Sequence, residues 1–203
     1  MEAFIDRIIP LVKRWGFSLL LLPFIWISLE QFWMAIRVDI LYAVNYPYPF
    51  FIWPIMFVID NVSLIIHEGG HFIFGLFGWR FLGILGGTLM GLLIPFLLFL
   101  TAWSKKQFTL AQFSLFWTGF TWLETAAYCY DAVATKMPLI GDLPITAHDF
   151  RNLLMQTKLL NEHETLAWLF YTLGVICFVM ALLWPLRNRP EPEMQYQNLK
   201  LDL

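Results

Sequence analysis

Five long apolar segments constrain the fold more than any other feature of this sequence. A helix that crosses a bilayer needs about 20 mostly apolar residues. Segments of that kind occupy residues 15–36, 49–77, 81–101, 108–130 and 165–186. The chain is 59% hydrophobic and only 14% charged, whereas soluble domains are about 45–50% apolar and about 25% charged. The sequence therefore predicts an all-α fold, a polytopic membrane helical bundle with about five transmembrane helices.

The remaining, more polar parts of the chain complete this predicted organisation. Residues 131–164 form a polar stretch in which residues 149–160 predict a short amphipathic helix on the membrane surface. Residues 1–186 are expected to form a single membrane-embedded domain, followed by a polar C-terminal tail at residues 187–203. The formal net charge of −2 argues against nucleic acid as a partner, because phosphate binding needs a basic surface. Membrane lipids are the expected surroundings.

The second apolar segment carries the motif His-Glu-x-x-His as His67, Glu68 and His71. Positions i and i+4 share one helix face, so both imidazoles can reach one metal ion. Zinc accepts such nitrogen ligands, and a catalytic zinc site keeps one position open for water. Glu68, beside the first ligand, is the expected catalytic residue, because it can take a proton from metal-bound water. The alternative is a polar contact between helices without metal, but ionisable groups inside a membrane helix are costly and usually functional.

Two residues are candidates for the third zinc ligand. If the second and fourth segments run parallel, His67 and Glu124 both lie about 23 Å along their helices and meet at one level. Glu124, the only charge in its segment, therefore ranks first, with a supporting or pairing carboxylate as its alternative role. His148, in the polar stretch, ranks second and could equally be an ordinary loop histidine.

Four further residues are expected to support the site rather than form it. Asp131 lies about 10 Å beyond Glu124 along the same helix face, where it would support a metal ligand or gate the site. Tyr128 shares that face. Asp149 either supports His148 or caps the following helix. Asp60 either accepts a hydrogen bond from an upstream group, orients an imidazole, or makes a polar contact between helices.

Glycines recur every four residues in the third segment, at Gly83, Gly87 and Gly91. This spacing is typical of helices that pack closely in lipid. The alternative is an irregular backbone against which an extended peptide substrate could pair.

Taken together, these motifs resemble the site-2 protease family of intramembrane zinc metalloproteases. The resemblance covers roughly residues 60–131 and implies a catalytic zinc and peptide hydrolysis within the bilayer. One departure concerns the third ligand, which that family takes from an Asp in a downstream Leu-Asp-Gly type motif, and no such motif follows His71.

The chain is also similar to a group of small bacterial membrane proteins. These share the His-Glu-x-x-His segment, a helix ending in Tyr-x-x-Asp-Ala, here residues 128–132, and a later His-Asp-aromatic triplet, here residues 148–150. This second resemblance implies no activity, but it favours the bacterial inner membrane as the location.

Three functions from different classes fit these observations. The first is a membrane-embedded zinc metalloprotease that acts on a membrane protein or peptide. The second is a zinc-dependent lipid amide hydrolase, which would use the same machinery. The third is a non-enzymatic metal-binding membrane protein, such as a scaffold or a transport subunit.

Overall fold

The computed structural model describes residues 2–44 and 48–187, and this part of the chain is helical without any β-strand. The helices are α1 (Glu2–Arg37), α2 (Ile40–Val44), α3 (Trp53–Gly75), α4 (Arg80–Ser104), α5 (Phe108–Tyr130), α6 (Asp149–Thr157) and α7 (His163–Arg187). Short 3-10 turns lie at Ile140–Asp142, Ile145–Ala147 and Leu160–Glu162. The predicted all-α class is confirmed. The polar tail predicted at residues 187–203 lies almost entirely outside the described residues.

Among the described residues, three stretches are long and apolar enough to cross a membrane, namely Arg14–Arg37, Arg80–Ser104 and Leu160–Arg187. The prediction of five spans is not confirmed, because α3 and α5 are not apolar enough along their length to belong to this set. The physical reason is that these two helices carry the polar side chains. On α3 the apolar side chains Phe57, Ile65 and Phe72 are exposed, while Ser63 is buried and the polar Asp60, His67 and His71 are half-buried.

Helix α5 lies at the centre of the bundle and packs against α1, α4 and α7. Its position explains how it tolerates polar residues, since protein rather than lipid surrounds them. Gln112 is buried there and donates hydrogen bonds to the Ser18 hydroxyl at 2.6 Å and to the Ala181 carbonyl at 2.8 Å. Hydrogen bonds of this kind join helices where hydrophobic burial alone cannot select a partner.

Helices α3 and α4 approach each other through glycines. A Cβ atom on Gly86 would lie 2.7 Å from the Gly70 carbonyl oxygen and 2.6 Å from Phe74 Cβ, distances that real Cβ atoms do not show. Helix α4 is continuous through this stretch, so the glycines serve close packing here. The alternative of an irregular backbone is wrong for this stretch.

Helix α6 is short and amphipathic, and it starts at the predicted residue. It buries Phe150, Leu153 and Leu154. Phe150 and Leu154 belong to a cluster that includes Cys129 of α5 and Ala167 of α7. The buried face fixes how α6 is docked and thereby where its first residue points.

Candidate metal centre

His67 and His71 lie one turn apart on α3 and turn their imidazoles toward each other. Their Nε2 atoms are 3.0 Å apart. His71 Nδ1 lies 2.9 Å from the Gly83 carbonyl oxygen on α4. A carbonyl accepts only, so it holds the Nδ1 proton and leaves the His71 Nε2 lone pair free to bind a metal.

Asp149, the first residue of α6, supplies the carboxylate that meets this pair. Its Oδ2 atom lies 3.3 Å from His67 Nε2 and 3.1 Å from His71 Nε2. Burial acts to raise the pKa of Asp149, but the contacts with His67 and His71 outweigh burial, and the pKa is lowered overall. The carboxylate is therefore held in its ionised form, which is the form that binds metals.

The three atoms have the spacing that a zinc ion requires. A tetrahedral zinc with bonds of about 2.0–2.1 Å holds its ligand atoms about 3.3–3.4 Å apart. The three observed separations, 3.0, 3.1 and 3.3 Å, lie close to this value. The donor set of two imidazoles and one carboxylate thus fits a zinc ion.

Glu68 also lies close to the histidine pair. One of its carboxylate oxygens is within 4.8 Å of the histidine ligand atoms, and its side chain is exposed to a cavity. At that distance a water molecule can bridge Glu68 and the centre of the group, which is the geometry a general base needs.

Gly87 on α4 closes the other side of the site. A Cβ atom at this position would clash with His71 Nε2 and would lie 2.6 Å from His67 Nε2. Both imidazoles therefore point at a backbone position that lacks a side chain. The space that a metal ion needs exists because residue 87 is glycine.

The first residues of α6 and the loop before it are held in position by His148, Tyr128 and Asp131. His148 is 1% exposed, and its Nδ1 caps α6 by accepting a hydrogen bond from the Arg151 backbone N–H at 3.3 Å. Its other nitrogen lies 3.4 Å from Asp131 Oδ2, in a geometry that makes no hydrogen bond. The Tyr128 ring stacks on His148, and the Tyr128 hydroxyl accepts a hydrogen bond from the Asp149 backbone N–H at 3.1 Å.

This arrangement corrects two expectations. His148 caps the helix and does not reach the histidine pair, while Asp149, expected to support or cap, is the residue that contacts it. Asp131 accepts hydrogen bonds from the backbone N–H groups of Lys136 and Met137 at 2.9 and 2.8 Å, so it organises the loop before α6.

Glu124, ranked first as third ligand, is not in the group of atoms around the histidines. It lines the same cavity from α5, together with Asp60 from α3. Helices α3 and α5 do not pack closely along their length, because this cavity lies between them. The helix period predicts a position along α5, but it cannot predict the distance from Glu124 across the cavity to His67. Asp60 accepts a hydrogen bond from the upstream Tyr48 hydroxyl at 3.2 Å.

The cavity has a volume of about 520 Å³, which is within the usual range for a site that binds a small molecule or a few residues of peptide. It extends from His67, Glu68 and His71 on α3 to α1, α2 and α5, and the loop between α5 and α6 lines part of it. Its lining mixes apolar side chains with a few polar ones, so it can receive a largely apolar segment and orient it.

The features that sequence reasoning missed are the contact of Asp149 with the two histidines, the Gly83 carbonyl and the space at Gly87. The His-Asp-aromatic triplet and the glycine repeat were the available signals, but neither assigns these roles. No family model, no curated protein and no solved structure matches this chain. The described part of the chain is therefore all-helical, with three potential membrane spans and a group of side chains that could hold a metal ion.

Proposed function

We propose that this protein is a membrane-embedded zinc metallopeptidase. The observation that carries the proposal is the convergence of Asp149 Oδ2 on the Nε2 atoms of His67 and His71, at 3.3 and 3.1 Å. This gives the His-Glu-x-x-His motif a third ligand and leaves Glu68 free beside it. The proposal places the protein in a membrane, the bacterial inner membrane by resemblance, with membrane lipids around it and a membrane protein or peptide as substrate.

In this proposal His67, His71 and Asp149 hold the zinc ion. When bound, zinc would polarise the scissile carbonyl and make water a stronger nucleophile. Glu68 takes a proton from the water molecule while the oxygen of that water bonds to the carbonyl carbon. Glu68 then gives that proton to the amide nitrogen as the C–N bond breaks, so the carboxylate is restored at the end of the cycle.

The surrounding residues keep the ligands in place. The Gly83 carbonyl holds His71 in the tautomer that exposes Nε2, and Tyr128 and His148 hold the first turn of α6 so that Asp149 faces the histidines. Such outer contacts typically change metal affinity by about 10–100-fold.

The first test measures zinc in purified protein. We expect one zinc per chain in the wild type, its loss in His67→Ala and Asp149→Asn, and its retention in Glu124→Gln. Glu30→Gln is a matched control, because Glu30 is a carboxylate on α1 that does not line the cavity. Wild-type protein without zinc, or Asp149→Asn protein with full zinc, would contradict the proposed site.

The second test separates the activity from metal binding. Glu68→Gln keeps the ligands and the shape of the site, so we expect full zinc content and no hydrolysis. Product pools compared between wild-type and Glu68→Gln cells then identify the substrate class. Accumulation of an uncleaved membrane-protein precursor supports peptide hydrolysis, and accumulation of an amide lipid supports the lipid hydrolase instead.

A further inference from the structure

The cavity contains a second polar region away from the histidines, centred on Glu124 of α5. Glu124 is an exposed side chain whose accessible surface opens into the cavity. Within the described residues its carboxylate makes no hydrogen bond and no ion pair. An ionisable side chain held inside a membrane-type bundle without a partner is costly, and such residues usually contact a ligand or substrate.

Asp60 faces the same region from α3 and is only partly satisfied. The Tyr48 hydroxyl lies 3.2 Å from Asp60 Oδ2 and 3.4 Å from Gln31 Oε1, and its single proton can serve one of these acceptors at a time. Asp60 Oδ1 is buried and has no hydrogen-bond partner. This carboxylate therefore has unused capacity to accept hydrogen bonds.

The charges around the cavity do not balance. Four carboxylates line it, those of Asp60, Glu68, Glu124 and Asp149, and no lysine or arginine among the described residues does so. A zinc ion would compensate the two carboxylates beside it, Glu68 and Asp149. Asp60 and Glu124, which line the same cavity from α3 and α5, remain without a cation.

We propose that Asp60 and Glu124 form a subsite for a cationic side chain, lysine or arginine, of the peptide substrate. This inference rests on the proposed peptidase function. Asp60 lies seven residues before His67 on α3, a distance of about 10 Å along the helix. An extended peptide advances about 3.3 Å per residue, so the basic residue lies about three residues from the scissile bond.

The test measures peptide binding to chelator-treated, zinc-free protein, so that it does not depend on hydrolysis. The probes are three fluorescent peptides of nine mostly apolar residues that differ at one central position, which is lysine, norleucine or glutamate. Norleucine keeps the apolar stem of lysine and removes its charge. Dissociation constants are measured by fluorescence anisotropy for the wild type, for Glu124→Gln combined with Asp60→Asn, and for the control Glu30→Gln.

We expect wild-type protein to bind the lysine peptide at least tenfold more tightly than the norleucine peptide, as for a charge-assisted hydrogen bond. The glutamate peptide should bind most weakly. The preference for lysine should disappear in the double variant and persist in Glu30→Gln. Equal binding of the lysine and norleucine peptides by the wild type overturns the subsite, and so does a double variant that discriminates as well as the wild type.

The two proposals fail in different ways. If lysine is preferred but no peptide is ever hydrolysed, the peptidase proposal fails and the cationic subsite stands. If zinc-dependent hydrolysis occurs without any charge preference, the subsite fails alone. Zinc loss in Glu124→Gln would make Glu124 a ligand and would also overturn the subsite.

Discussion

Substitution of Gly87 by alanine tests whether the space between the two imidazoles and α4 is the metal site. The added Cβ would lie 2.6 Å from His67 Nε2 and 2.7 Å from His71 Cε1, whereas ordinary contacts begin at 3.4 Å. One or both imidazoles must therefore move by about 0.8 Å, while zinc ligand distances vary by only about 0.2 Å. A displacement this large should lower zinc affinity by more than the roughly 100-fold seen at most for outer contacts.

Gly91 offers a matched control one turn further along α4. It is also buried, but a Cβ atom there would lie 3.5 Å from Thr121 Cγ2, an ordinary contact. Gly91→Ala should keep zinc affinity within about twofold, and the better helix propensity of alanine should stabilise the zinc-free protein by up to about 1 kcal/mol.

The assay is competition for zinc against a chromogenic chelator, with thermal unfolding of the zinc-free proteins to verify that both variants fold. The reasoning is refuted if folded Gly87→Ala protein binds zinc as tightly as Gly91→Ala protein. The cation would then have to bind elsewhere than between the histidines and α4.

Three further predictions concern the loop and helix that carry Asp149. Tyr128→Phe removes the acceptor for the Asp149 N–H, so zinc affinity should fall about tenfold while zinc is still bound at saturation; unchanged affinity in the chelator assay would remove Tyr128 from the positioning role. Asp131→Asn turns an NH2 donor toward one of the two backbone N–H groups that Asp131 accepts, so thermal unfolding should show a loss of about 1–3 kcal/mol, and an unchanged melting temperature would argue against this role. Lys136→Gln removes the 2.9 Å hydrogen bond to Asp39 that lowers the pKa of Asp39, so that pKa should rise in an NMR titration. Folding lowers the pKa of Asp39, so the stabilisation from this pair is present at neutral pH and is lost as the pH falls through the lowered pKa. An Asp39 pKa that does not change in Lys136→Gln would contradict the pairing.

The helices themselves were largely predictable from local sequence. The predicted segment 108–130 coincides with α5, and segments 81–101 and 165–186 lie within α4 and α7. The first helix is longer than expected, because it begins at Glu2, ahead of the apolar segment. Membrane crossing was less predictable for α3 and α5, since their polar side chains reduce hydropathy and are accommodated by neighbouring helices.

The contact of Asp149 with His67 and His71 was not predictable from local sequence. Neighbouring positions on a helix differ by about 100° in direction, so the choice between His148 and Asp149 depends on how α6 is docked. The buried face of α6, formed by Phe150, Leu153 and Leu154, decides this. Glu124 is not part of the group around the histidines for a related reason, because position along a helix does not give the distance across a cavity.

Local sequence is enough to predict the helical class. It also predicts that His67 and His71 share a helix face, because the period of the α-helix places positions i and i+4 together whatever surrounds them. The tertiary structure decided that Asp149 completes this pair and that Gly87 leaves room beside it. Contacts between residues 82 positions apart depend on how helices pack, and packing is set by the whole set of buried surfaces, which no local pattern contains.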